Sequence, residues 1–148
     1  MSQITSLPFN ERYVPSVAKY KALLEESIND IAAFWDKEAK GIPWYEGWEK
    51  ALDWNVPFAR WFVGGKLNVS NVCVDWQIQN GKGNKVAYYW EGEDYVMRTI
   101  TYRDLYLEVN RLAYALREMG LKKGDRIAIY LPMIPELPVA MLAAARLG

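Results

Sequence analysis

The sequence predicts an α/β protein: a helical, aromatic-rich extension, then a β-hairpin, then helix and strand alternating as in a parallel sheet. Three observations carry this. Val86-Ala87-Tyr88-Tyr89-Trp90 and Val96 to Ile100 are β-prone runs on either side of the turn Glu91-Gly92-Glu93-Asp94. Leu105, Val109, Leu112, Leu116 and Met119 recur at steps of four, three, four and three, one face of a helix. Arg126 to Leu131 is then a short apolar run stopped by Pro132, ahead of a second helical stretch.

The elements follow in order. Met1 to Pro15 is a polar leader punctuated by Pro8 and Pro15. Ser16 is placed to cap a helix whose Val17, Tyr20, Leu24 and Ile28 share a face. Asn29-Asp30 restarts a short helix through Ala33-Phe34-Trp35 to Lys40, with Gly41 as its C-terminal glycine. From Ile42 to Trp76 no period of 2 or 3.6 persists, so an irregular segment is expected. It should be pinned over a larger body by Trp44, Tyr45, Trp48, Trp54, Phe58, Trp61, Phe62 and Trp76. Thr101-Tyr102-Arg103-Asp104 is a capping-box start for the long helix, with Asp in place of the usual Glu or Gln, and Gly120 closes it. Lys123-Gly124-Asp125 is a turn, and Arg126 to Leu131 is expected to be a buried strand. Pro135 and Pro138 fit the start and first turn of a helix over Glu136 to Leu147, where a missing N–H costs little. That helix is apolar nearly all round, a pattern normally covered on both sides. The pattern therefore predicts a repeating unit that continues beyond Gly148, and an exposed apolar stripe that drives self-association of the chain as given or leaves the helix frayed. The expected division is 1–76 for the extension and 77–148 for the start of the α/β domain.

Composition bounds the function. The 148 residues are 51% hydrophobic and 24% charged, an ordinary globular mixture. Eighteen basic and eighteen acidic residues give no net charge, which argues against a nucleic acid or an anionic membrane as partner. The absence of histidine removes Ser-His-Asp and Cys-His pairs and most zinc sites. Cys73 is the single cysteine, so no disulfide can form within the chain, and a cytoplasmic location is the expectation. Between Val72 and Val74 it reads as a small buried hydrophobe. The N-terminus has no basic, apolar leader pattern, and the longest apolar stretch, Val139 to Ala145, falls far short of the roughly 20 residues of a membrane span.

The motifs that resemble sites have plainer readings. Asn80-Gly81-Lys82-Gly83-Asn84-Lys85 precedes a strand, whereas phosphate loops follow one, so it reads as an exposed turn. Gly64-Gly65-Lys66 lacks the full phosphate-loop spacing. Gly124-Asp125 is a connection. Glu91, Glu93 and Asp94 crowd a hairpin tip, where carboxylates are solvated rather than tuned for acid–base work. Trp44, Trp48 and Trp61 could stack on sugars or bases, but packing is the expected use.

Several runs together resemble the start of AMP-forming acetyl-CoA synthetases, members of the adenylate-forming superfamily. Ala33-Phe34-Trp35 and Trp44-Tyr45-Glu46-Gly47-Trp48 are similar to that family's N-terminal extension, and Trp61-Phe62-Val63-Gly64-Gly65-Lys66-Leu67-Asn68 to the segment after it. Trp90-Glu91-Gly92-Glu93 and Thr99-Ile100-Thr101-Tyr102-Arg103-Asp104-Leu105 resemble its hairpin and first helix. Lys122-Lys123-Gly124-Asp125-Arg126 and Tyr130-Leu131-Pro132-Met133-Ile134-Pro135-Glu136 resemble the following strand and helix start. The similarity runs from Tyr20 to Gly148.

The resemblance implies a ligase acting in two steps. A short carboxylate attacks the α-phosphate of ATP to give an acyl-adenylate and pyrophosphate, and the CoA thiol then displaces AMP. ATP, magnesium and CoA are implied for the intact enzyme, with the rest of the synthetase chain as partner. The family's Y-T-S-G-T-T-G phosphate loop occurs nowhere in this sequence, nor do the Phe-Gly-Gly run that helps hold CoA and the C-terminal catalytic lysine. No catalytic, cofactor-binding or metal role therefore transfers to any position, and the chain by itself is expected to be inactive. Where the family commonly reads Asp-Arg-His, this chain has Asp75-Trp76-Gln77. The other reading is a stand-alone, non-catalytic module that binds a partner through its aromatic zone.

Overall fold

The computed structural model describes residues 16–148. The leader Met1 to Pro15, and the readings made on it, lie outside the described residues. The described chain forms two compact units, one of residues 16–42 and 48–64, the other of 43–47 and 65–148.

In the first unit, α1 (Val17–Asn29) and α2 (Ile31–Ala39) form where the caps place them. The Ser16 hydroxyl accepts from the Lys19 N–H at 3.0 Å. Asp30 serves both helices: its N–H donates to Glu26 O at 3.3 Å, and its carboxylate accepts from the Ala33 N–H at 2.9 Å. Val17, Tyr20, Leu24 and Ile28 are all exposed, so the apolar face of α1 is uncovered among the described residues. Gly41 follows α2 without the left-handed conformation expected of a C-terminal glycine.

The irregular segment expected over Ile42 to Trp76 is more ordered than its sequence. β1 (Lys50–Asn55) and β2 (Phe58–Val63) pair antiparallel, with Leu52 opposite Trp61 and Trp54 opposite Ala59. The hairpin reverses at Val56-Pro57, whose peptide bond is cis, and not at the Asn-Gly or Asp-Gly pair that marks hairpins in sequence. Only Ala51 is buried in the two strands, so no in–out alternation betrays them.

In the second unit, a π-helical turn, Asn71–Asp75, runs into the short α3 (Trp76–Gln79). Ser70 and Val74, four residues apart, both turn fully inward. Cys73 is therefore carried outward and is exposed, not the buried hydrophobe that its apolar neighbours Val72 and Val74 suggest. β3 (Val86–Glu91) and β4 (Met97–Thr101) form the expected hairpin. It leads directly into α4 (Tyr102–Glu118). The Thr101 hydroxyl accepts from the Asp104 N–H at 3.1 Å and the Asp104 carboxylate accepts from the Thr101 N–H at 3.0 Å, so Asp completes the capping box. Gly120, at φ 95°, ends α4 in a left-handed cap, with the Leu121 N–H donating to Leu116 O at 3.2 Å.

The core of this unit is Val74, Leu105, Val109, Ala113 and Ala143, with Leu112, Leu116, Val139, Leu142 and Leu147 partly buried against it. Met119, counted into the helical stripe, is exposed. α5 (Glu136–Leu147) starts after Pro135 with Pro138 in its first turn, as expected. Tyr88 Oη donates to Pro135 O at 3.0 Å and Trp90 Nε1 to Met133 O at 2.7 Å, so the hairpin fixes the entry to α5. Residues 126–131 differ from expectation: they form no ladder and are largely exposed, with Tyr130 wholly so. A strand exists only through inter-strand hydrogen bonds, and no partner strand lies beside this run among the described residues. The described chain is thus a mixed α/β assembly of helices and two antiparallel strand pairs.

Candidate functional site

The densest polar cluster gathers around Arg146, in the last turn of α5. Its Nε donates to the buried Ser70 Oγ at 3.1 Å, and its two Nη atoms reach both carboxylate oxygens of Asp75. Nη1 also donates to Asn110 Oδ1 on α4. The guanidinium lies 5.8 Å from the centre of the Tyr106 ring. Asn110 is held in turn by donating to Tyr106 O at 2.8 Å. Asn68 donates to Ala145 O at 2.8 Å, satisfying a carbonyl of the helix end, and accepts from the Asn71 N–H at 3.1 Å.

The planar guanidinium suits this task because its donors form a rigid fork that matches a carboxylate bidentately. Arg146 and Asp75 are about one-fifth exposed, at 19% and 22%. Each charge is compensated by the other and by neutral hydrogen bonds, so the cluster has no spare charge and no base set against a nucleophile. Its chemistry is that of a clamp: it joins residues 68–75, α4 and α5 at one point. A cavity of about 430 Å³ opens beside it, lined by Asn110, Ala113, Tyr114, Arg117, Arg146 and Leu147. Arg117 stands over the Tyr114 ring, 5.3 Å from its centre.

The motifs weighed in the sequence stand apart from this cluster. Lys66 Nζ pairs with Glu46 at 2.6 Å, and its backbone bridges the same residue. In the turn before β3, Lys82 Nζ donates to Gln77 Oε1 at 3.0 Å and sits 6.0 Å from the Trp76 ring, so Trp76 and Gln77 are occupied with that lysine. Gly83 is buried within this otherwise largely exposed turn, where an added Cβ would stand 3.4 Å from Ile78. The Gly124 N–H donates to Gly148 O at 2.7 Å, and Asp125 accepts from the Lys122 N–H at 2.7 Å. Glu91, Glu93 and Asp94 are exposed. Trp48 packs edge-on to Phe62 and donates to Asp36 at 2.7 Å. Lys40 first, then Trp48, holds the Asp36 carboxyl below its ordinary value by hydrogen bonding. Trp44 is half-buried, but Trp54, Phe58 and Trp61 are exposed, so packing accounts for only part of the aromatic zone. Among the described residues, no group of three His, Cys, Asp or Glu side chains is placed to hold a metal ion, and no helix is long and apolar enough to cross a membrane.

Sequence reasoning did not find the clamp. Its other members lie 36 to 78 residues from Arg146 in the chain. The one available signal was Arg146 itself, a lone cation in the apolar run from Val139 to Leu147.

Comparison with known proteins places this architecture. Residues 20–73 match the family model described as acetyl-coenzyme A synthetase N-terminus, and residues 74–148, half of the chain, match that of AMP-binding enzymes. The chain is 49% identical over 125 residues to an acetyl-coenzyme A synthetase of Rubrobacter xylanophilus, covering 84% of this chain and 19% of that protein. It is 44% identical over 155 residues to the acetyl-coenzyme A synthetase of Pyrobaculum aerophilum, covering 99% of this chain and 23% of that protein. The structure of an acetoacetyl-CoA synthetase from Streptomyces lividans superposes with a TM-score of 0.74 at 29% identity, over 94% of this chain and 22% of that one. The chain thus spans about a fifth of the length of the curated relatives it matches. On these matches, the chain belongs to the AMP-binding enzyme family and carries, ahead of that family's domain, the N-terminal region of the acetyl-coenzyme A synthetases.

Proposed function

We propose that this chain is the N-terminal part of an ATP-dependent, AMP-forming acyl-CoA synthetase, cytoplasmic, acting on acetate or another short carboxylate, and that alone it is not catalytic. The observation that carries this reading is the order of the two family matches, 20–73 then 74–148, which abut without a gap. In the reaction, a carboxylate oxygen attacks the α-phosphorus of ATP, the bond to the bridging oxygen breaks and pyrophosphate leaves. The CoA sulfur then attacks the acyl carbon and AMP departs with the electron pair of the acyl–oxygen bond. The residues described here contribute position, not chemistry, to these steps. The capping box fixes the start of α4, the hairpin fixes the start of α5, and the Arg146 clamp fixes its end. ATP, CoA and magnesium would meet residues of the remaining synthetase chain, because the phosphate loop, the Phe-Gly-Gly run and the catalytic lysine are not in this sequence.

The test is pyrophosphate release by the purified 148-residue chain given acetate, ATP, magnesium and CoA. Release at the level of a heat-killed sample is expected. Acetate-dependent turnover clearly above that control would overturn the claim that this part is non-catalytic.

A further inference from the structure

We draw no further inference here: the strongest candidate, the exposed apolar run Ile127, Tyr130, Leu131 and Met133 between α4 and α5, carries nothing because nothing in the structure shows what covers it.

Discussion

Arg146 and Asp75 show how much one residue pair can hold in a chain with so small a buried core. Removing one partner leaves the other charge partly buried beside a buried serine, whereas removing both leaves no unpaired charge. Arg146→Met should destabilise the chain by about 2–4 kcal/mol, below the upper range for a fully buried pair because water still reaches both groups. The double variant with Asp75→Asn should lose less than the sum of the single losses, by about 0.5–3 kcal/mol. Strict additivity in a denaturant double-mutant cycle would mean that the clamp carries no coupling. A second residue-scale test concerns the capping box. The Thr101 hydroxyl first, then the Thr101 N–H, holds the Asp104 carboxyl below its ordinary value of 3.8 by hydrogen bonding. A carboxyl lowered on folding stabilises above its unfolded-state value, and that contribution fades as pH falls through the folded one. Thr101→Ala should cost about 0.5–2 kcal/mol near neutral pH. The gap between variant and parent should narrow as pH falls through the lowered folded-state value of Asp104. A gap independent of pH would show that Asp104 takes no part in the cap.

Elements were legible in proportion to how strongly local chemistry specified them. Ser16, Asp30 and Thr101 mark three helix starts with side chains that can satisfy their own backbone, and all three do. The apolar stripe of α4 was likewise readable, but its depth was not. Leu105 and Val109 are buried, Leu112 and Leu116 only partly, and Met119 is exposed one step beyond the helix proper. Leu105→Ala should therefore cost about 2–5 kcal/mol. Met119→Ala should change stability by no more than about 0.5 kcal/mol. Equal shifts in the two denaturation midpoints would mean that the helix is rotated from the position described. The β1–β2 hairpin escaped the sequence for physical reasons. Its turn uses Val56-Pro57 in cis, which the residue types alone do not dictate, and its strands are exposed on most positions. The outward placement of Cys73 depends on a π-helical turn, which the apolar neighbours Val72 and Val74 do not announce. The Arg146 clamp was hidden because its partners lie far from Arg146 in sequence, and no periodicity records a contact at that range.

At the scale of the whole molecule, the run 126–131 is where sequence pattern and fold part. Arg126-Ile127-Ala128-Ile129-Tyr130-Leu131 has the composition of a buried parallel strand, yet it lacks a ladder and leaves Tyr130 in solvent. A parallel strand acquires its hydrogen bonds from neighbouring strands, to which it is joined by crossover connections. A chain that folds around its own small core while leaving such a run unpaired fits the proposed role. The most direct measurement is a graft. Residues 1–148 would replace the matching N-terminal region of the Pyrobaculum aerophilum acetyl-coenzyme A synthetase, and the purified hybrid would be checked for a single cooperative melt before its pyrophosphate release is followed. The account predicts release that depends on acetate, ATP and CoA together, well above that of the isolated chain. A hybrid that melts cooperatively yet releases no pyrophosphate with acetate or any other short carboxylate would contradict it.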